Sequence, residues 1–145
     1  MPIDAIPKLK IQPGIAGESL PVSAWTDDEL VRLGRAEELH LASRRPDGSL
    51  RPFVTIWAVR SGDDVYVRSA YGYENPWFQR ALRSGAGRIS AGGVERDVAF
   101  DQAGPDVADD VSAAYHAKYD RYGPRMVGTV VSAEAVRSTL KLVPR

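Results

Sequence analysis

The sequence predicts an α+β domain: a mainly antiparallel sheet of about six strands, curled into a small barrel, with about three or four flanking helices. Three observations predict it. Turn signals at Pro46-Asp47-Gly48, Ser61-Gly62-Asp63 and Gly92-Gly93 join neighbouring strand patterns into hairpins. The central segment "LRPFVTIWAVR" is apolar on both faces, as in a strand covered on both sides. No glycine-rich strand-to-helix loop of the dinucleotide-binding or P-loop kind is present, which argues against a doubly wound sheet.

Residues 1–23 carry Pro2, Pro7, Pro13 and Pro21 and few apolar runs. They are expected to be an extended or disordered arm. Residues 24–145 are expected to form a single domain. "TDDELVRL" starts its first helix: Thr26 is the N-cap, Glu29 completes a capping box, and Asp27 and Asp28 suit the positive end of the dipole. Three strands follow, "ELHLASRR", "LRPFVTIWAVR" and "DVYVRSA". In the middle one, alternation puts Phe53, Thr55, Trp57 and Val59 on one face and Val54, Ile56 and Ala58 on the other. Asn75 caps a helix with Pro76 at its first position, and Trp77, Phe78, Ala81 and Leu82 make its apolar face. "GRISAGGVERDVAF" reads as a hairpin and "DVADDVSAAYHAKYDRY" as a helix ended by Gly123-Pro124. "MVGTVV" reads as a strand, "SAEAVRSTL" as a short helix and "LKLV" as a last strand.

Composition narrows the function. The 145 residues hold 19 Lys and Arg against 19 Asp and Glu, so no overall basic charge exists to attract nucleic acid. No cysteine is present, which excludes disulfides and thiolate metal sites. His40 and His116 stand far apart, and the acidic runs sit at helix starts, so no metal is expected. No apolar run approaches the ~20 residues needed to span a bilayer. Asp4, Lys8 and Lys10 break up the N-terminus, so no secretory signal is expected and a cytoplasmic location is the default.

Three groups of residues have chemistry to offer. Arg44, Arg45, Ser49 and Arg51 surround the first hairpin, and Arg68 and Ser69 end the third strand. Guanidinium and hydroxyl groups suit a phosphate, and the helix at Pro76 would add its N–H groups if it faced the same corner. The same arginines also suit a solvated surface. Trp57, Tyr71, Tyr73, Trp77 and Phe78 offer flat walls for a heterocycle, with the Thr55 hydroxyl beside them, or simply a core. Tyr115, Tyr119 and Tyr122 share one helix face, as proton donors to a ligand or as packing.

The run from Leu39 to Phe100 resembles the split β-barrel superfamily. The likeness rests on the basic turn with Gly48-Ser49 and Arg51-Pro52, the strand with Thr55, "GDDVYVRSAYG" and "NPWFQRAL". It is similar to the deazaflavin-dependent nitroreductases, with flavin-binding pyridoxamine-phosphate-oxidase-like proteins more distant. "GGVERDV", "YxxKYxRYGP" and the terminal "LxLVPR" resemble a bacterial domain family of unknown function within that superfamily. The resemblance implies a split β-barrel holding a deazaflavin coenzyme or FMN. It implies Arg45, Ser49 and Arg51 on the cofactor phosphate, completed by Arg68 and Ser69. Trp77 would sit beside that phosphate corner, Thr55 and Trp57 would lie along the ring, and Tyr119 and Tyr122 would face the substrate. The expected function is a small-molecule oxidoreductase, acting as a homodimer. The alternatives are a cofactor-free enzyme of specialised metabolism, with cyclase- or isomerase-type acid–base chemistry in the same pocket, and a non-catalytic ligand-binding protein.

Overall fold

Thr26 opens the first helix of the structure, a computed structural model that describes residues 24–145. The expected arm, residues 1–23, lies outside the described residues. Helix α1 (Asp27–Arg35) carries both halves of the capping box: the Glu29 N–H donates to Thr26 Oγ1 and the Thr26 N–H to Glu29 Oε1. Seven strands follow: β1 (Leu39–Ser43), β2 (Val54–Ile56), β3 (Ala58–Ser61), β4 (Asp64–Val67), β5 (Ala86–Ala91), β6 (Val94–Gln102) and β7 (Leu140–Pro144). Helix α2 (Pro76–Ser84) connects β4 to β5, with Asn75 as N-cap and Pro76 first, as expected. Helices α3 (Ala108–Tyr119), α4 (Pro124–Val131) and α5 (Ala133–Val136) lie between β6 and β7.

The strands form one antiparallel sheet in the order β2-β1-β5-β6-β7-β4-β3. Its two edges, β2 and β3, are consecutive in the chain and separated by Trp57 alone. The sheet is therefore a nearly closed barrel, split where the chain passes from one edge to the other. This corrects two expectations. The central segment is not one strand but two short ones, each pairing with a different neighbour, and the barrel's seven strands agree with the expected number of about six. "MVGTVV" is also not a strand but most of helix α4. Pro124 holds its first position, and Val127 and Val130, three apart, bury one face.

The expected alternation along 53–59 survives the split. Ala58 is buried inside the barrel, where Val54 and Ile56 pack with Leu39, Leu41, Ile89 and Phe78. Val59 and Trp57 face the other way, into a second apolar layer with Tyr115, Tyr119, Val127 and Val130 from α3 and α4. Two cores share one wall, and the split lies over the second.

Candidate functional site

Breaking a strand at Trp57 leaves backbone carbonyls to satisfy, and α3 supplies the donors. Tyr115 Oη donates to the Trp57 carbonyl at 3.2 Å. Lys118 Nζ donates to Ala58 O at 2.7 Å, and Tyr119 Oη lies 2.9 Å from Glu37 O and 3.2 Å from Ala58 O. The Tyr119 ring stacks on Trp57, with centroids 4.0 Å apart and planes 6° from parallel. Both Tyr115 and Tyr119 are fully buried. Burial holds the phenol pKa of each well above its ordinary value.

The expected proton-donor role of Tyr119 is corrected accordingly. Its hydroxyl is committed to the backbone at the split and reaches no solvent. Tyr119→Phe is expected to lower stability by about 1 kcal/mol and to leave ligand binding unchanged, measured by urea unfolding and by titration. Tyr122 is different. It is 44% exposed, with its ring 5.5 Å from that of Trp57 and the Arg121 guanidinium 4.8 Å from its centroid and donating to its hydroxyl at 3.4 Å. Its phenol remains accessible.

Lys118 is half-buried and makes no ion pair among the described residues. Burial pushes its ammonium pKa down to about 8. The sign for stability follows from linkage. Between pH 8 and the ordinary lysine value of 10.5, the unfolded chain binds more protons than the folded one. This group therefore favours folding increasingly as pH rises through that window, and its burial cost is complete below it. Lys118→Met is expected to raise the unfolding temperature near neutral pH, with the gain shrinking as pH climbs above about 8. A gain that stayed constant with pH would contradict the depressed value.

Around the split lie three adjoining hollows. The first, about 300 Å³, is lined by Thr55, Trp57, Arg68, Ala70, Trp77 and Val130 among others, with Asn75 and Tyr71 at the α2 side and Met126 from α4. Thr55 Oγ1 is bonded to His40 Nδ1 at 3.0 Å, which orients the hydroxyl beside the Trp57 wall. The second hollow shares Val54 and Trp77 with the first and adds Arg51 and Arg80. The third shares Arg51 and Arg80 with the second and adds Arg44, Arg45 and Arg83. An apolar aromatic end thus passes, along one wall of α2, into a basic end.

The basic end holds unpaired charge. Arg44 pairs with Asp97, and Arg45 donates to Ser49 Oγ and Leu50 O. Arg51, Arg80 and Arg83 have no hydrogen bond or ion pair from their guanidinium groups to any described residue. Arg51 Nε is buried with no partner among the described residues. Buried donors without partners are rare, and one in a basic hollow calls for an acceptor from outside. Arg80 and Arg83 were not among the expected site residues. They lie three apart on α2, a spacing that puts both on one helix face and was available in the sequence.

The single phosphate corner expected from sequence is divided. Arg45 and Arg51 line the basic hollow, but Ser49 lines none of these three. Its hydroxyl donates to Asp47 Oδ1 at 2.7 Å, and that bond holds the exposed Asp47 carboxyl below its ordinary pKa. Asp47 is thereby a turn-former, accepting from both the Ser49 hydroxyl and its N–H. Arg68 and Ser69 are buried and point away from the hairpin. β4 pairs with β3 and β7, not with β1, so its end runs under α3 and α4. Arg68 lies on the floor of the apolar hollow, and Ser69 Oγ is buried without a partner among the described residues. Thr55 and Trp57 line the first hollow, and Trp77, expected beside the phosphate corner, lines both the first and the second.

Known proteins place this architecture. A bacterial family described as "Uncharacterized protein conserved in bacteria (DUF2255)" matches residues 29–142. A candidate pyridoxamine 5'-phosphate oxidase from Listeria innocua aligns at a TM-score of 0.56 and 16% identity, over 82% of this chain and 92% of the other. A protein of unknown function from Agrobacterium tumefaciens gives 0.56 and 14% identity, over 88% of this chain and 57% of the other. A conserved hypothetical protein from Mycobacterium tuberculosis gives 0.54 and 10% identity, over 89% and 85%. At these identities the likeness is one of fold, a split barrel. No curated protein matches the chain significantly. Among the described residues no helix is long and apolar enough to cross a membrane.

Proposed function

The chain belongs to the bacterial family DUF2255, and from its split-barrel fold and the residues lining its three hollows we propose that it is a small-molecule oxidoreductase holding a deazaflavin coenzyme or FMN along them. The observation that carries this reading is the row of unpaired guanidiniums, Arg51, Arg80 and Arg83, placed next to an aromatic-walled hollow. A ligand with a flat apolar head and an anionic tail matches both ends. Paired N–H groups of arginine fit phosphate oxygens, and Trp57 and Trp77 give the head its walls.

When bound, such a coenzyme supplies the hydride chemistry. The chain's own groups bind and orient it. Arg45, Arg51, Arg80 and Arg83 would hold the tail. Thr55, fixed by His40, would present a hydroxyl to the ring edge. Trp57, pinned by Tyr119 on one side, keeps a fixed plane. Tyr122 lines none of the three hollows, but its half-exposed ring lies 5.5 Å from that of Trp57, and its phenol would supply a proton to the substrate, the role first expected of both tyrosines. A homodimer belongs to the same proposal: Phe53, Tyr71 and Met126 are exposed by 43%, 84% and 50%, and apolar surface of this kind suits cover by a second copy.

The test is a titration of cofactor-stripped protein with FMN and, separately, with a deazaflavin coenzyme, following tryptophan fluorescence. Trp57 and Trp77 both face the hollow, so saturable quenching is expected from one of the two. Absence of quenching by either would remove the coenzyme reading. The bare fold would then favour a cofactor-free pocket.

A further inference from the structure

Arg68 is the largest fully buried side chain of the described residues, 1% exposed. Its guanidinium makes four hydrogen bonds: Nε to Thr139 Oγ1, Nη1 to Ser112 Oγ and to Val130 O, and Nη2 to Ala108 O, at 2.8 to 3.0 Å. All four acceptors are neutral. No carboxylate pairs with it among the described residues, and the nearest ring, Tyr115, is kept neutral by burial. Arginine stays protonated even when buried. The charge is therefore real, and one N–H on Nη2 has no partner among the described residues.

Part of the compensation is local. Val130 lies in the last turn of α4, where the helix dipole places roughly half a negative charge. The remainder is unmatched. Buried charges are normally paired, because desolvation of a lone ion is expensive. Arg68 is also on the floor of the aromatic hollow, whose other walls include no Asp or Glu. The walls are largely apolar and Arg68 itself is buried, so its charge is screened less than that of a surface arginine.

Resting on the reading of this hollow as the place of a flat head group, we propose that the head group itself is an anion, with Arg68 as its counter-ion. The chemical class is an aromatic acid or a deprotonated phenol or heterocycle, distinct from the tail anion in the groove. This sets the specificity of the hollow: neutral aromatics of the same shape, the oxidised ring of FMN among them, are discriminated against by charge, not by size, which narrows the proposed coenzyme to one with an anionic ring.

The test uses the full wild-type chain and two probes of one shape, naphthoate and its neutral amide, followed by calorimetry near neutral pH at low and high salt. Naphthoate is expected to bind at least ~10-fold more tightly than the amide, and to keep that preference at about 0.5 M salt, because a buried charge is screened far less than an exposed one. Equal affinities would overturn the inference and leave the flat-ligand reading standing. A preference that disappears in salt would assign it to the exposed arginine groove, and also overturns it. Binding of neither probe would remove the flat-ligand reading, and the inference with it.

Discussion

Arg51→Met is expected to make the protein more stable and its anion binding worse. The two signs rarely go together. Arg51 Nε is buried with no partner among the described residues, and an unsatisfied buried donor costs about 1–3 kcal/mol, less where the rest of the group is solvated. Methionine keeps much of the apolar stem and removes the orphan. Stability should rise by up to about 1 kcal/mol. Affinity for a phosphate-bearing ligand should fall by at least ~10-fold, since a charge-assisted hydrogen bond to an anion contributes about 1.5–3 kcal/mol. Urea unfolding and calorimetry with FMN or the deazaflavin coenzyme measure the two halves. A variant less stable than the wild type would mean that Arg51 has a structural role. An unchanged affinity would take it out of the groove.

The second large effect is Gly87→Ala, expected to lower stability by about 3 kcal/mol or to prevent folding. Gly87 is buried in β5, opposite Ser43 of β1. A Cβ there would lie 2.1 Å from the Ala42 carbonyl and 2.7 Å from Phe100 Cζ. The first neighbour is backbone and cannot turn aside, so the β1–β5 ladder itself must move. That ladder carries the hairpin bearing Arg45 and Arg51. Any folded fraction should therefore bind the tail anion poorly as well. Urea unfolding followed by far-ultraviolet circular dichroism is the measurement. A loss below about 0.5 kcal/mol would show that the strands can separate at no cost.

Much of the fold was legible because it is encoded by neighbours in sequence. Thr26 and Glu29 satisfy each other's backbone within one turn, and Asn75-Pro76 starts α2 by the same local logic. Gly92 and Gly93 take positive φ at the β5–β6 turn, as the hairpin reading requires. Alternation along 53–59 placed Ala58 in one core and Trp57 and Val59 against the other. "MVGTVV" was misread because β-branched residues suggest a strand, whereas packing of Val127 and Val130 beneath α3 selects a helix.

The candidate site was legible only in part. Arg45, Arg51, Thr55, Trp57 and Trp77 were found from residue type and order, and they line adjoining hollows. Arg80 and Arg83 were overlooked, although their spacing was visible. Ser69 and Tyr119 were placed at the ligand, yet long-range contacts draw them inside; Arg68 was placed with the tail phosphate, yet it lies buried beneath the aromatic hollow. Arg68 reaches Ala108, Ser112, Val130 and Thr139, between 40 and 71 residues away. Tyr119 reaches Glu37 and Ala58, 82 and 61 residues away.

By itself, then, the sequence determined where helices begin, where hairpins turn and which side chains alternate, since each depends on groups a few residues apart. Only the tertiary structure decided where the central strand breaks, which arginines stay unpaired and which one is buried. Those outcomes depend on strand order. β4 is closed by β7 rather than β1, and that single pairing carries Arg68 beneath α3 and α4 while the hairpin arginines stay at the surface with α2.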